Sequence, residues 1–280
     1  MTLRKTDSRR DFLKSIIAST AAMVVAGCTR ETSFSARTIP TKDPHAATST
    51  PAAAQPTSGT TPTQGVLSPM AKGTNTPTPT VEPPVTTPAQ ALNRLAEGNT
   101  RWMNAKSVHP NTSSTRRTAL TKGQNPFAII FSCIDSRVPP EYIFDRGIGD
   151  LLVIRTAGHA LDNAALGSIE FGVEELKIPL VMVLGHEKCG AITAAVEAEK
   201  QKTPPPGQIK TLLDSLKPAV DAGKALKGDP IENAIAANIE LTVNKVRASP
   251  VIAESIKKGK VRVVGALYDL DTGGVELTVL

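Results

Sequence analysis

Leu180-Val181-Met182-Val183-Leu184-Gly185-His186-Glu187-Lys188-Cys189-Gly190 reads as a buried strand that runs straight into a histidine and a cysteine. An apolar run with no polar alternation fits a strand covered on both faces, as in parallel sheets. Two other runs, Phe127 to Ser132 and Leu151 to Arg155, have the same character. Between the second and third runs, Ala164 to Lys177 spaces Leu166, Ile169, Phe171, Val173 and Leu176 as a helix does, and Pro179 forbids its continuation. Further helices are expected at Ala89 to Met103, Gly190 to Lys200, Ile209 to Leu226, Ile231 to Ala248 and Val251 to Lys258, with Val108 to Thr115 read as loop. A strand at Val261 to Leu267, the turn Asp271-Thr272-Gly273-Gly274 and a return at Val275 to Leu280 form a hairpin. The fold class is therefore α/β, a mainly parallel central sheet flanked by helices with an antiparallel C-terminal edge strand.

Outward from this core the composition changes. Half of the 22 prolines lie between Pro40 and Pro88, among 13 threonines, and such a stretch buries too little apolar surface to fold. Residues 28–88 read as a Thr/Pro-rich tether spanning on the order of 45 Å as a coil, with His45 in it. That leaves one domain, 89–280, of ordinary size. Residues 1–27 read as an address: Ser8-Arg9-Arg10-Asp11-Phe12-Leu13-Lys14 matches a twin-arginine export signal, followed by a short apolar run and Val25-Ala26-Gly27-Cys28, which resembles a lipobox. The expectation is an exported lipoprotein, acylated at Cys28, on the periplasmic or cell-surface side, touching the membrane only through its lipid. Half of the +6 net charge belongs to this segment, and no basic stripe with interleaved aromatics follows it, which argues against nucleic-acid binding.

In an open α/β sheet, ligands bind beyond the carboxyl ends of the strands. Cys133-Ile134-Asp135-Ser136-Arg137 follows the first run, and His186 and Cys189 follow the third. If these strands are neighbours, Cys133, His186 and Cys189 form a three-ligand zinc set with an open fourth position, the pattern of a catalytic site. Arg137 can pair with Asp135 and aim it at a metal-bound water. A disulfide between Cys133 and Cys189, or two inert thiols, is the alternative, and it leaves Asp135, Arg137 and His186 unexplained. His159 is a candidate proton shuttle or a surface histidine.

At these motifs the sequence resembles the beta-class carbonic anhydrases, over nearly all of 91–280. Cys133-x-Asp135-Ser136-Arg137-Val138 and Gly185-His186-x-x-Cys189-Gly190 are similar to the family's ligand and dyad segments. Arg155-Thr156-Ala157-Gly158 looks like its Arg-Asn-Ala-Gly, with Thr156 departing from Asn; Leu152 stands where some members carry Phe. The resemblance implies zinc-dependent reversible hydration of carbon dioxide to bicarbonate and a proton by a homodimer or tetramer. It implies that Asp135 and Arg137 orient the nucleophile, that Gln124 and the backbone N–H of Gly190 hold substrate oxygens, the former across a dimer interface, and that Phe171 lines the pocket. In some members the aspartate instead blocks the zinc, and a bicarbonate site accompanies this; Trp102, Arg155 and Tyr268 occupy similar motif positions. Two other functions remain open: a zinc hydrolase of another small heterocumulene such as carbon disulfide, and a non-catalytic zinc or redox binding protein, against which the Asp135–Arg137 pair argues.

Overall fold

The structure, a computed structural model, describes residues 83–199 and 204–280. The export signal, Cys28 and the tether up to residue 82 lie outside the described residues.

Helix α1 (Pro88–Met103) starts where the local chemistry dictates. The Thr87 hydroxyl accepts from the Gln90 N–H, the Gln90 side chain accepts from the Thr87 N–H, and Pro88 takes the first position, where no donor is needed. Helix α2 (Ser114–Leu120), capped by Ser113, follows where the sequence reads as loop to Thr115. It buries none of its residues, so no apolar stripe marks it. Strand β1 (Ala128–Cys133), the single turn α3 (Pro140–Ile143), strand β2 (Leu151–Thr156) and a 3₁₀ turn at Ala157–His159 come next. Helix α4 (Asn163–Glu174), capped by Asp162, leads to β3 (Leu180–His186). Helices α5 (Gly190–Ala198), α6 (Gln208–Lys224), α7 (Pro230–Ala248) and α8 (Pro250–Lys257) precede β4 (Arg262–Tyr268) and β5 (Val275–Val279). Among the described residues no helix is long and apolar enough to cross a membrane.

The strands lie in the order β2-β1-β3-β4-β5, the first four parallel and β5 antiparallel to β4. Every residue of β1 and β3 is buried, as their unbroken apolar runs require. Helices α4 and α7 approach the same face closely. A Cβ on Gly172 would stand 2.7 Å from the Ile129 side chain, and one on Gly185 or Gly265 would stand 2.6 Å from the Ile239 side chain, so a larger residue at these points would push those isoleucines aside. From β1 the chain winds to β2 on one side, and from β3 it winds to β4 on the other. The crevice between β1 and β3 is thus the switch point of the sheet, where ligands bind.

Candidate metal centre

Cys133 ends β1 and His186 ends β3, and because Ser132 pairs with Leu184 the two strand ends are adjacent. Both residues therefore lie on the strands and not in the loops after them, a shift of one or two residues from the sequence boundaries. Cys189 caps the N-terminus of α5 three residues beyond His186. Donor atoms of the three side chains lie within 4.8 Å of one another, and all three residues are buried. Neither cysteine is in a disulfide.

The donor set fits a metal. The Nδ1–H of His186 donates to the Glu187 carbonyl at 2.8 Å, which fixes the tautomer and leaves a lone pair on Nε2. That Nε2 is buried and has no hydrogen-bond partner, a state costly to a protein unless a ligand completes it. Between the thiols one proton is readily lost. Cys133 is pulled far below the ordinary thiol range, chiefly because the Cys189 thiol donates to its sulfur; burial opposes this, and the N–H groups of Asp135 and Gly158 assist it. Cys189, as the donor and buried, is pushed up, while the Ile192 and Ala191 N–H groups at the start of α5 pull the other way.

Beside the cluster, Asp135 Oδ1 accepts from the Arg137 N–H at 3.0 Å and Nε at 2.9 Å, and Oδ2 accepts from Nη2 at 2.7 Å. This fork holds the Asp135 carboxyl at about 2, with the Arg137 side chain the largest cause. Arg137 also donates to the Lys188 carbonyl, which ties the loop after β1 to the loop after β3. Asp135 Oδ2 lies 3.9 Å from His186 Nε2, on the edge of the cluster.

Other expected site residues lie elsewhere. Arg155 donates to the carbonyls of Cys133 at 2.7 Å and Asp135 at 2.5 Å, so β2 braces the backbone of the first ligand segment. Trp102 Nε1 donates to the Tyr268 hydroxyl at 3.2 Å, and neither residue hydrogen-bonds to Arg155; the three do not form one hydrogen-bonded group. Gln124 precedes β1, at the end of the sheet away from Cys133. Phe171 does not reach its own chain's cluster: it is 57% exposed on α4 next to Gly172, which packs on Ile129 near the start of β1. His159 is neither a surface residue nor a route to solvent. It is 1% exposed, and burial lowers its imidazole to about 4, so it is neutral. A residue the sequence does not reveal as a contributor is Gly158, whose N–H donates to Cys133 Sγ at 3.2 Å; in the sequence it stands only as the last residue of the Arg155-Thr156-Ala157-Gly158 segment.

Fold and donor set together define an α/β protein with a Cys-His-Cys cluster able to hold a metal at its topological switch point. Comparison with known proteins makes this specific. A carbonic anhydrase family model matches residues 128–275. The carbonic anhydrase of Mycolicibacterium smegmatis is 38% identical over 195 residues, 69% of this chain and 95% of the relative. Carbonic anhydrase 2 of Mycobacterium tuberculosis is 41% identical over 191 residues, 68% of this chain and 92% of the relative. Among solved structures, a Coccomyxa beta-carbonic anhydrase superposes with a TM-score of 0.52 at 26% identity, covering 66% of this chain and 85% of that one. Two tetrameric beta-carbonic anhydrases from Sordaria macrospora share the fold at a TM-score of 0.53 and 22% identity, covering 66% of this chain and 95% of that one. The chain belongs to the beta-class carbonic anhydrase family, and it is an enzyme of the lyase class.

Proposed function

We propose that the chain hydrates carbon dioxide reversibly to bicarbonate and a proton with one zinc ion per subunit, held by Cys133 Sγ, His186 Nε2 and Cys189 Sγ. The observation that carries this is the buried, unpartnered His186 Nε2 set among two thiols and beside an arginine-held carboxylate. Soft thiolates with one imidazole suit zinc, and three protein ligands leave a position for chemistry. When bound, zinc supplies the Lewis acidity that makes water nucleophilic near neutral pH. Asp135 Oδ2 is the acceptor that takes the nucleophile's hydrogen bond and fixes the direction of its attack. Arg137 keeps that carboxylate ionised, and because its fork occupies both oxygens, it favours the state in which Asp135 orients water over the state in which it takes the open position. The Gly190 N–H stands in the first turn of α5, where helix geometry supplies no partner, and in this reading it holds a product oxygen.

Completion of the site calls for a second subunit. Gln124 and Phe171 are too far along the sheet to serve their own cluster, so in this reading Gln124 of the partner subunit and Phe171 of the partner subunit close the pocket of a dimer or tetramer. The Sordaria enzymes are tetrameric, and Ile134, Tyr142 and Ile148 are exposed apolar residues here. The reading also keeps residues 1–27 as a twin-arginine and lipoprotein signal with Cys28 acylated, supported by the motifs Arg9-Arg10 and Val25-Ala26-Gly27-Cys28. Mass spectrometry of the membrane fraction tests it: a mature N-terminus other than an acylated Cys28 refutes it.

The deciding experiment is metal analysis with stopped-flow carbon dioxide hydration, run beside Asp135→Ala. One zinc per subunit, hydration activity, and a roughly 10²- to 10⁴-fold fall in the variant are expected. Zinc without hydration removes the proposal. The same assay tests bicarbonate inhibition through Trp102, Arg155 and Tyr268, which is ruled out by activity that holds steady as bicarbonate rises at constant pH.

A further inference from the structure

We infer that Asn238 is a positioning residue for the metal centre: by clamping the turn at Gly158 and His159 it sets the hydrogen bond from the Gly158 N–H to Cys133 Sγ, and so the donor strength of that ligand. The inference rests on the metal reading above. Asn238 is buried on α7, 80 positions from Gly158 in the chain, and its Nδ2 lies 2.7 Å from the Gly158 carbonyl and 2.7 Å from His159 Nε2. With one amide hydrogen on the carbonyl and the other on Nε2, the imidazole accepts there and carries its proton on Nδ1. The turn needs such a clamp, since Gly158 (φ 61°) and His159 (φ 43°) are both left-handed, a conformation unfavourable to the non-glycine residue. Around it, Thr156 Oγ1 donates to the Ala160 carbonyl, and a Cβ on Gly158 would come within 3.1 Å of Leu216 on α6 and 3.2 Å of Ala191 on α5. Held this way, the Gly158 N–H lies 3.2 Å from Cys133 Sγ. An N–H···S bond draws charge from a thiolate, lowering the energy of its lone pairs and tempering its donation to a metal. Outer partners of metal ligands typically change metal affinity about 10- to 100-fold when removed.

Asn238→Leu in the full chain tests this, with Asn238→Ser as the milder variant where the leucine does not fold. The metal-free proteins are titrated with zinc against a chromophoric chelator, and the cobalt-loaded proteins are read by their thiolate-to-metal charge-transfer absorption. The expected result is a charge-transfer band moved to lower energy, because a sulfur relieved of the N–H bond donates more strongly, together with at least about a 10-fold change in zinc affinity. A folded variant with wild-type affinity and band overturns the inference. So does lost affinity with an unmoved band, which marks structural damage and not altered sulfur donation. A wild-type chain that takes up neither metal overturns the metal reading, and this inference with it.

Discussion

Asp135 and Asp145 lie ten residues apart in the connection between β1 and β2, each paired with an arginine, yet their surroundings differ in kind. Asp145 is fully buried and saturated: Arg101 Nε donates to Oδ2 at 2.5 Å, the Val108 N–H reaches both oxygens, and the His109 N–H donates to Oδ1 at 2.9 Å. Every donor comes from the chain around it, and the group locks the segment after α1 to α3. Asp135 is held by Arg137 alone, keeps 17% of its side chain exposed, and turns Oδ2 toward a histidine nitrogen that has no partner. A buried polar group whose valences are all met within the fold stabilises it. One left incomplete beside other incomplete groups is where a ligand belongs.

Four experiments break or sharpen this contrast. The largest effect is expected from Cys189→Ser or His186→Ala, in which zinc content and hydration should both fall to background; a variant that keeps stoichiometric zinc breaks the assignment of ligands. Asp135→Asn should retain zinc and lose about 10²- to 10³-fold in kcat, whereas Asp145→Asn should retain kcat per zinc and lose about 3 to 5 kcal/mol of stability in denaturant unfolding, as one partner of a buried ion pair is neutralised. If the two swap behaviours, saturation is no guide to role. The third test concerns pH. His159 titrates near 4 when folded against an ordinary value of 6.5, so the unfolded chain takes up the proton first and acidification favours unfolding. Stability of the metal-free protein should be unaffected by this group above pH 6.5 and should fall by about 3 kcal/mol between 6.5 and 4; His159→Gln should flatten that slope in urea midpoints measured against pH. Smallest, Tyr268→Phe removes the acceptor of the Trp102 N–H and should cost about 1 kcal/mol, read as a small drop in Tm. A loss as large as that of Asp145→Asn would show that this pair, too, is a main fastening of α1.

Much of the fold was legible because its signals are local. The apolar runs of β1, β2 and β3 are unbroken, α4 forms within the expected stretch though it stops at Glu174 and not at Lys177, and Asp271-Thr272-Gly273-Gly274 turns the chain into β5. Helix α2 was not legible, because none of its residues is buried and it leaves no periodic trace. Strands β1 and β3 run one and two residues past their apolar runs, to Cys133 and His186, because pairing with the neighbouring strands, and not side-chain polarity, decides where a strand stops.

Cys133, His186 and Cys189, which the fold brings into one cluster, and the Asp135–Arg137 pair could be named from residue type and spacing, since thiolate, imidazole and carboxylate chemistry is carried by the side chains themselves. Their convergence depends on β1 and β3 being neighbours at the switch point, which no local pattern encodes. The same is true of what surrounds them. Arg155 braces the first ligand segment from the adjacent strand, His159 is sealed in the interior, and Asn238 reaches the Gly158 turn from 80 residues away. Hydrogen bonds between distant segments have no sequence period, so they exist only once packing has brought their donors and acceptors together.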